Sequence, residues 1–325
     1  MCTAVSFQSK DHYFGRNLDL DRSYIESVTV TPRNYPFHFR RETKMTHHFA
    51  LIGMAAVVDG YPLYYDATNE RGLSMAGLNF PGNAAYLTPL AGKTNLSPFE
   101  FIPWVLGKYS SVAQAWEELE TIRLADIPFS DELGLSPLHW ILCDKKQSVT
   151  IEPMPDGLHV YDNPVGVLTN NPPFDYHMHN LANYLNLTRE EPKNRFSTKY
   201  DLKPYSRGMG AMGLPGDLSS SSRFIRAAFT KLNSVCKHDE LSSVSQFFHI
   251  LSSVAQQEGC VRVGEDFEKT VYSSCCNTDK CIYYYTTYEN SQITGIDLFA
   301  EELDGNQIKT FPLVRKQQIR MENRR

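Results

Sequence analysis

The sequence predicts an α+β protein in which sheets pack together and helices lie outside them. Three observations lead there. Short runs rich in β-branched and aromatic residues, punctuated by Gly, Pro, Asn and Asp, fill the first ninety residues. Hydrophobic spacing then takes a helical period over two successive segments, and the exchange of strands for a helix pair happens once more further on. No internal repeat or linker-like change of composition interrupts the chain, so residues 1–325 read as one domain.

Strands are expected first at Thr3–Gln8, Tyr13–Arg16, Val28–Pro32, Phe49–Val58, Leu63–Asp66 and Leu73–Leu78. Only Ser9–His12 separates the first two, so they can pair as a hairpin. Ser97-Pro98-Phe99-Glu100 combines a capping box with proline at the first helical position and opens a helix to about Gly107. Ser111 with Gln114 caps a second, placing Val112, Trp116, Leu119 and Ile122 on one face. Strands return at Leu138–Cys143, Val149–Glu152 and Leu158–Tyr161. From about Asn170 to Gly216 the chain is polar, rich in Pro and Asn and aperiodic, which marks a binding loop or an assembly arm. Helices follow at Ser222–Asn233 and Ser242–Gln256, the latter burying Phe247, Phe248, Leu251 and Val254. Strands at Ile282–Tyr288 and Ile293–Leu298 close the pattern.

Composition narrows the function. With 325 residues, 42% hydrophobic and 21% charged, the chain can bury a large core and has no disordered character. The formal charge of -5 is interspersed and forms no basic stripe, so nucleic acid is not an expected partner. No window of eighteen apolar residues exists to span a membrane. The start of the chain shows neither a basic n-region nor an apolar h-region, so no signal peptide is read. Seven irregularly spaced cysteines then read as reduced cytoplasmic thiols rather than a disulfide frame.

The chain opens Met-Cys-Thr. A small residue behind methionine favours its removal, which would leave Cys2 with a thiol and a free α-amine on one Cα. A thiol with pKa about 8.5 is only about 3% thiolate at pH 7, whereas an α-amine of pKa about 7.7–8.0 is a far better proton acceptor than lysine. A neutral amine can therefore act as base for its own thiol, directly or through a water. The plain alternative is a cysteine that happens to stand second.

The hairpin would bring Arg16 and Asp19 of "GRNLDLD" close to Cys2. A guanidinium there lowers a thiol pKa, and a carboxylate can orient an α-ammonium; a solvated charge cluster at a turn is the alternative. Asn79 and Asn170 stand where strands are expected to end, and an amide donor aimed at a developing oxyanion is a standard part of acyl transfer. Asparagines at strand ends also serve as turn residues. Arg223 falls in the first turn of a helix, where the macrodipole disfavours a cation; that misplacement hints at a role, with a surface arginine as alternative.

Other features point nowhere. Gly208–Gly213 spells G-x-G-x-x-G, but no strand leads in and Leu214-Pro215-Gly216 follows where a helix should run. The pairs His177/His179 and His47/His48 lack partners at ligand spacing, and Cys275, Cys276 and Cys281 lack C-x-x-C spacing, so no metal site is expected.

Over essentially its whole length the chain resembles the choloylglycine hydrolases, which include bile salt hydrolases and penicillin V acylases. Nine stretches carry the resemblance in order: "MCTA", "FGRNLD", "VTPRNY", "NERGLSMAGLNF", "VLTNNP", "GLPGD", "SRFIRAAF", "FFHILSSV" and "YTTYENSQI". It implies an N-terminal nucleophile hydrolase fold, a four-layer αββα arrangement with two antiparallel sheets between helical layers. It implies that Cys2, exposed by loss of Met1, attacks an amide carbonyl without metal or organic cofactor. Arg16 and Asp19 match residues that tune the thiol and hold the α-amine. Asn79 and Asn170 match the oxyanion pair, and Arg223 the remaining arginine of the charge network. The expected substrate is a glycine- or taurine-conjugated bile salt, with Leu18, Val58, Phe129 and Leu133 lining a slot for its steroid body. Penicillin V or acyl-homoserine lactones are alternative substrates, and a non-catalytic carrier that keeps Met1 is the alternative of another class. The loop before "GLPGD" matches the segment that builds homotetramers in the family.

Overall fold

The computed structural model describes residues 1–323. In chain order its strands are β1 (Cys2–Gln8), β2 (His12–Leu20), β3 (Ser27–Thr31), β4 (Leu51–Val58), β5 (Tyr61–Asn69) and β6 (Ser74–Asn79). There follow β7 (Thr94–Leu96), β8 (Ile122–Leu124), β9 (Leu138–Cys143), β10 (Ser148–Met154), β11 (Gly157–Asp162) and β12 (Val167–Leu168). The last are β13 (Val261–Val263), β14 (Asp266–Asn277), β15 (Ile282–Thr287), β16 (Thr294–Asp297) and β17 (Lys309–Pro312). The α-helices are α1 (Phe101–Lys108), α2 (Val112–Leu119), α3 (Phe174–Asn180), α4 (Ser220–Asn233) and α5 (Glu240–Ser252).

One sheet runs β12-β1-β2-β14-β15-β16, with β13 paired to β14. The other runs β11-β10-β9-β6-β5-β4-β3-β17, and every neighbouring pair in both is antiparallel. The sheets face each other where β1 and β2 meet β6; α4 and α5 cover the first sheet outside, and α1 covers the second. The result is the expected helix–sheet–sheet–helix layering. One apolar core joins the sheets to α4 and α5 through Phe7, Phe224, Phe247 and Tyr283; a second lies beneath α1, around Phe101, Trp104 and Trp140. Gly15 lets β2 and β14 close up, since a Cβ there would run into the Ser274 carbonyl.

Several sequence expectations need correction. β2 continues past Arg16 to Leu20, because its charged residues are buried against the site instead of ending the strand. The buried face of α2 is Val112, Ala115 and Leu119; Trp116 is partly exposed, and Ile122 lies beyond the helix in β8. Phe248 is only half-buried on α5, and Val254 is buried past the helix end. The stretch from Asn170 to Gly216 contains α3, where buried Phe174 and His177 anchor a short helix among polar residues. The twelve residues of β14 carry no strand pattern in the sequence. Its inward positions carry Thr270, Tyr272 and Ser274, which are buried by hydrogen bonding and so leave no apolar alternation to read.

Candidate active site

The β1–β2 ladder pairs Cys2 with Leu18, Ala4 with Arg16 and Gln8 with His12. Strand alternation therefore puts Arg16 and Leu18 on one face and Asn17 and Asp19 on the other. Arg16 reaches across the inter-sheet space, where its Nη1 donates to the carbonyls of Gly77 at 2.5 Å and Tyr65 at 3.0 Å. Asp19 is opposite Thr270 of β14, whose hydroxyl donates to Asp19 Oδ1 at 2.6 Å.

Around Cys2 the distant chain segments converge. The Cys2 backbone N–H donates to Asn170 Oδ1 at 2.8 Å, and Arg223 Nη2 donates to the same oxygen at 2.7 Å. Arg223 Nη1 also donates to the Cys2 carbonyl at 2.5 Å and to Thr3 Oγ1 at 2.7 Å. Asn170 Nδ2 donates to the carbonyl of Asn79, the last residue of β6, at 2.6 Å. The fold thus brings all six sequence-predicted residues to one place: Cys2, Arg16, Asp19, Asn79, Asn170 and Arg223.

The electrostatics are strained by burial. Desolvation pushes the Asp19 carboxyl upward, against the pull of Arg223 and the chain's amino terminus. Burial would lower the Arg16 guanidinium, but Cys2, Tyr272, Asp66 and Asp19 together hold it above its ordinary value. Arg223 is lowered, chiefly by burial. Two buried atoms of opposite character remain without partners, Arg16 Nη2 and Asp19 Oδ2. Asp66, also raised by burial, accepts from the hydroxyls of Tyr272 and Tyr283, each at 2.7 Å.

Met1 caps this arrangement. Its ammonium donates to the Asp19 carbonyl at 2.6 Å and pairs with the Glu268 carboxylate. Burial lowers that ammonium below its ordinary value, with Cys2 and Asp19 acting in the opposite direction. While Met1 is attached, the nitrogen of Cys2 is an amide and cannot take up a proton. A cleft of about 530 Å³ opens alongside, lined by Met1, Asp217, Leu218, Ser219, Cys260 and Val261.

The four apolar residues expected to line a slot are more scattered. Leu18 is buried directly opposite Cys2. Val58 and Asn79 end parallel-running strands at the same end of the second sheet, where Val58 pairs with Tyr61. Phe129 packs at that end, its ring 6.0 Å from Tyr61 and 5.2 Å from Phe99. Leu133 is exposed in the loop that returns to Leu138, the partner of Asn79.

The supporting residues are silent in the sequence. Thr270, Thr3, Asp66, Tyr272 and Tyr283 give no local signal, because each is polar for a partner far away in sequence. Among the described residues no three His, Cys, Asp or Glu side chains cluster as a metal site, and no helix is long and apolar enough to cross a membrane. All seven cysteines are unpaired.

A family model for linear amide C–N hydrolases, the choloylglycine hydrolase family, matches residues 2–311, beginning at Cys2 itself. The chain belongs to the choloylglycine hydrolase family. This member of the family is 56% identical over 314 residues to a bile salt hydrolase/transferase of Lactiplantibacillus plantarum, covering 96% of this chain and 97% of that one. It is 41% identical to a bile salt hydrolase/transferase of Clostridium perfringens, covering 96% of each chain. Its structure matches that of the C2A variant of a conjugated bile acid hydrolase from Clostridium perfringens with a TM-score of 0.92 at 38% identity, over 99% of this chain and 100% of the other. A penicillin V acylase from Agrobacterium tumefaciens shares the fold, with a TM-score of 0.75 at 18% identity over 97% and 92% of the two chains. This member of the family has the N-terminal nucleophile hydrolase fold.

Proposed function

We propose that this member of the choloylglycine hydrolase family cleaves the amide between a bile acid and glycine or taurine, using Cys2 as nucleophile once Met1 is removed. The names of its relatives support the substrate class. One structural observation carries the mechanism: the two unpartnered buried atoms beside Cys2, Arg16 Nη2 and Asp19 Oδ2, are a donor and an acceptor. A thiolate and an α-ammonium on residue 2 would satisfy both.

The neutral α-amine takes the thiol proton and the thiolate attacks the amide carbonyl, forming the C–S bond. Negative charge moves to the carbonyl oxygen, which the Asn79 carboxamide and the second Nδ2 hydrogen of Asn170 steady. The α-ammonium protonates the departing glycine or taurine nitrogen as the C–N bond breaks. Water, deprotonated by the same amine, then resolves the acyl-thioester to bile acid and thiol. Arg16 favours the thiolate, Asp19 orients the amine, and Arg223 holds the Cys2 carbonyl and Asn170 in place. An amine in place of that water would give acyl transfer, in keeping with the word transferase in the relatives' names.

The reading extends to Leu18, Val58, Phe129 and Leu133 as the apolar side of a steroid slot. It also takes the chain as one domain, supported by a core that runs from Cys2 to Leu303, in a cytoplasmic protein, supported by unpaired cysteines. Homotetramer assembly is supported by Leu185, Phe196 and Tyr205, which are highly exposed apolar side chains in the loop before α4.

The test pairs intact mass with activity. The purified chain is expected to lack one methionine and to hydrolyse glycocholate faster than penicillin V. Cys2→Ser is expected to fold normally and lose at least about 10³-fold in kcat. Full activity with Met1 in place, or in Cys2→Ser, would overturn the mechanism.

A further inference from the structure

We propose that His177, Ser220 and the His139–Glu152 pair are positioning residues, a frame that holds the Asn170 carboxamide where the reaction needs it. The proposal rests on the reading of Asn170 given above and extends it to residues that do not touch the substrate.

Asn170 has all its polar atoms engaged. Its side chain faces Cys2, Arg223 and Asn79, while its backbone is held from behind. The backbone N–H donates to Ser220 Oγ at 2.8 Å, and that hydroxyl donates onward to Thr169 Oγ1 at 2.9 Å. His177 Nε2 stands 3.0 Å from the Asn170 carbonyl, and since a carbonyl only accepts, this nitrogen carries the hydrogen. Burial lowers His177 to about 4, so the ring stays neutral and donates as a neutral imidazole near pH 7. The carbonyl one residue earlier is held the same way: His139 Nε2 stands 3.0 Å from the Thr169 oxygen. His139 Nδ1 lies 3.0 Å from Glu152 Oε1, which also accepts the Phe174 N–H that opens α3. His177 sits on that helix and stacks on Phe224 with ring centres 4.8 Å apart, one residue from Arg223.

The segment from Thr169 to His177 is therefore a closed frame between β9, β10 and α4. Two consecutive carbonyls, each met by an imidazole nitrogen at 3.0 Å, restrain the peptide between them. Asn170 lies two residues past the end of β12, beyond its pairing with β1, so without these bonds its carboxamide would move with its own loop. Displacement by about 1 Å of a group aimed at a transition state costs up to about 10²-fold in rate.

His177→Phe keeps the ring that stacks on Phe224 and removes the donor; His177→Gln restores a donor at the Nε2 position. With glycocholate as probe, His177→Phe is expected to lower kcat about tenfold to a hundredfold, with KM within about twofold of wild type. His177→Gln is expected to recover most of that loss, and Asn170→Ala to fall lower than either. Wild-type kcat in His177→Phe, or a Gln variant no better than Phe, overturns the frame while a dead Asn170→Ala leaves the role of Asn170 standing. Full activity in Asn170→Ala overturns the role of Asn170 itself. Should His177→Phe fail to fold, Ser220→Ala tests the same frame from its other side: a fall in kcat at constant KM supports it, and an unchanged kcat overturns it.

Discussion

Arg223 Nη1 lies 2.5 Å from the carbonyl oxygen of Cys2, so a helix residue from the second half of the chain grips the backbone of the proposed nucleophile. The same guanidinium touches Thr3 and Asn170, a fan that lysine cannot reproduce with one compact ammonium. Arg223→Lys is expected to lower kcat about 100-fold and to cost about 1–3 kcal/mol of stability through unsatisfied buried acceptors. Steady-state kinetics beside thermal melts check this, and an Arg223→Lys enzyme with native kcat contradicts it.

The α-amine works as a base only when neutral. A carboxylate beside an ammonium favours its charged form, so removing the Asp19 charge moves the pKa of the freed Cys2 amine down. The acid limb of kcat/KM in Asp19→Asn is therefore expected to shift to lower pH. Its plateau is expected to fall because the amine loses its orienting acceptor. A pH–rate profile of both enzymes decides the matter; an upward shift excludes Asp19 as the partner of the amine.

Leu18 and Leu133 separate packing from recognition. Leu18 is buried in the core under Cys2, so Leu18→Ala is expected to cost about 2–5 kcal/mol of stability. Leu133 is exposed, so Leu133→Ala is expected to stay within about 0.5 kcal/mol of wild type. Its KM for glycocholate is expected to rise severalfold, and that rise to vanish on a short linear acyl-glycine. A KM equal to wild type on both substrates removes Leu133 from the slot.

Phe196 and Tyr205 are 86% and 82% exposed in the loop that the proposed assembly would use. Sedimentation velocity is expected to show a tetramer for the wild type and a smaller species for Phe196→Ser/Tyr205→Ser. A monomeric wild type would refute assembly through this loop.

By itself the sequence determined the short-range features: the β1–β2 hairpin that lays Arg16 and Asp19 beside Cys2, the capping box of the 3-10 turn Pro98–Glu100 that leads into α1, the capped start of α2, and the α+β alternation. Those follow from side-chain period, turn length and capping, which act over a few residues. The resemblance to a family supplied Asn79, Asn170 and Arg223, whose local settings are ambiguous. Only the tertiary structure decided what those residues touch. Asn170 meets Cys2 across 168 residues and Asn79 across 91, and Thr270 meets Asp19 across 251. Such hydrogen bonds bury polar groups that break the apolar alternation of their own strands, so β14 and the frame behind Asn170 could not be read from pattern. Their positions follow from how two sheets and two helices close on one buried nitrogen.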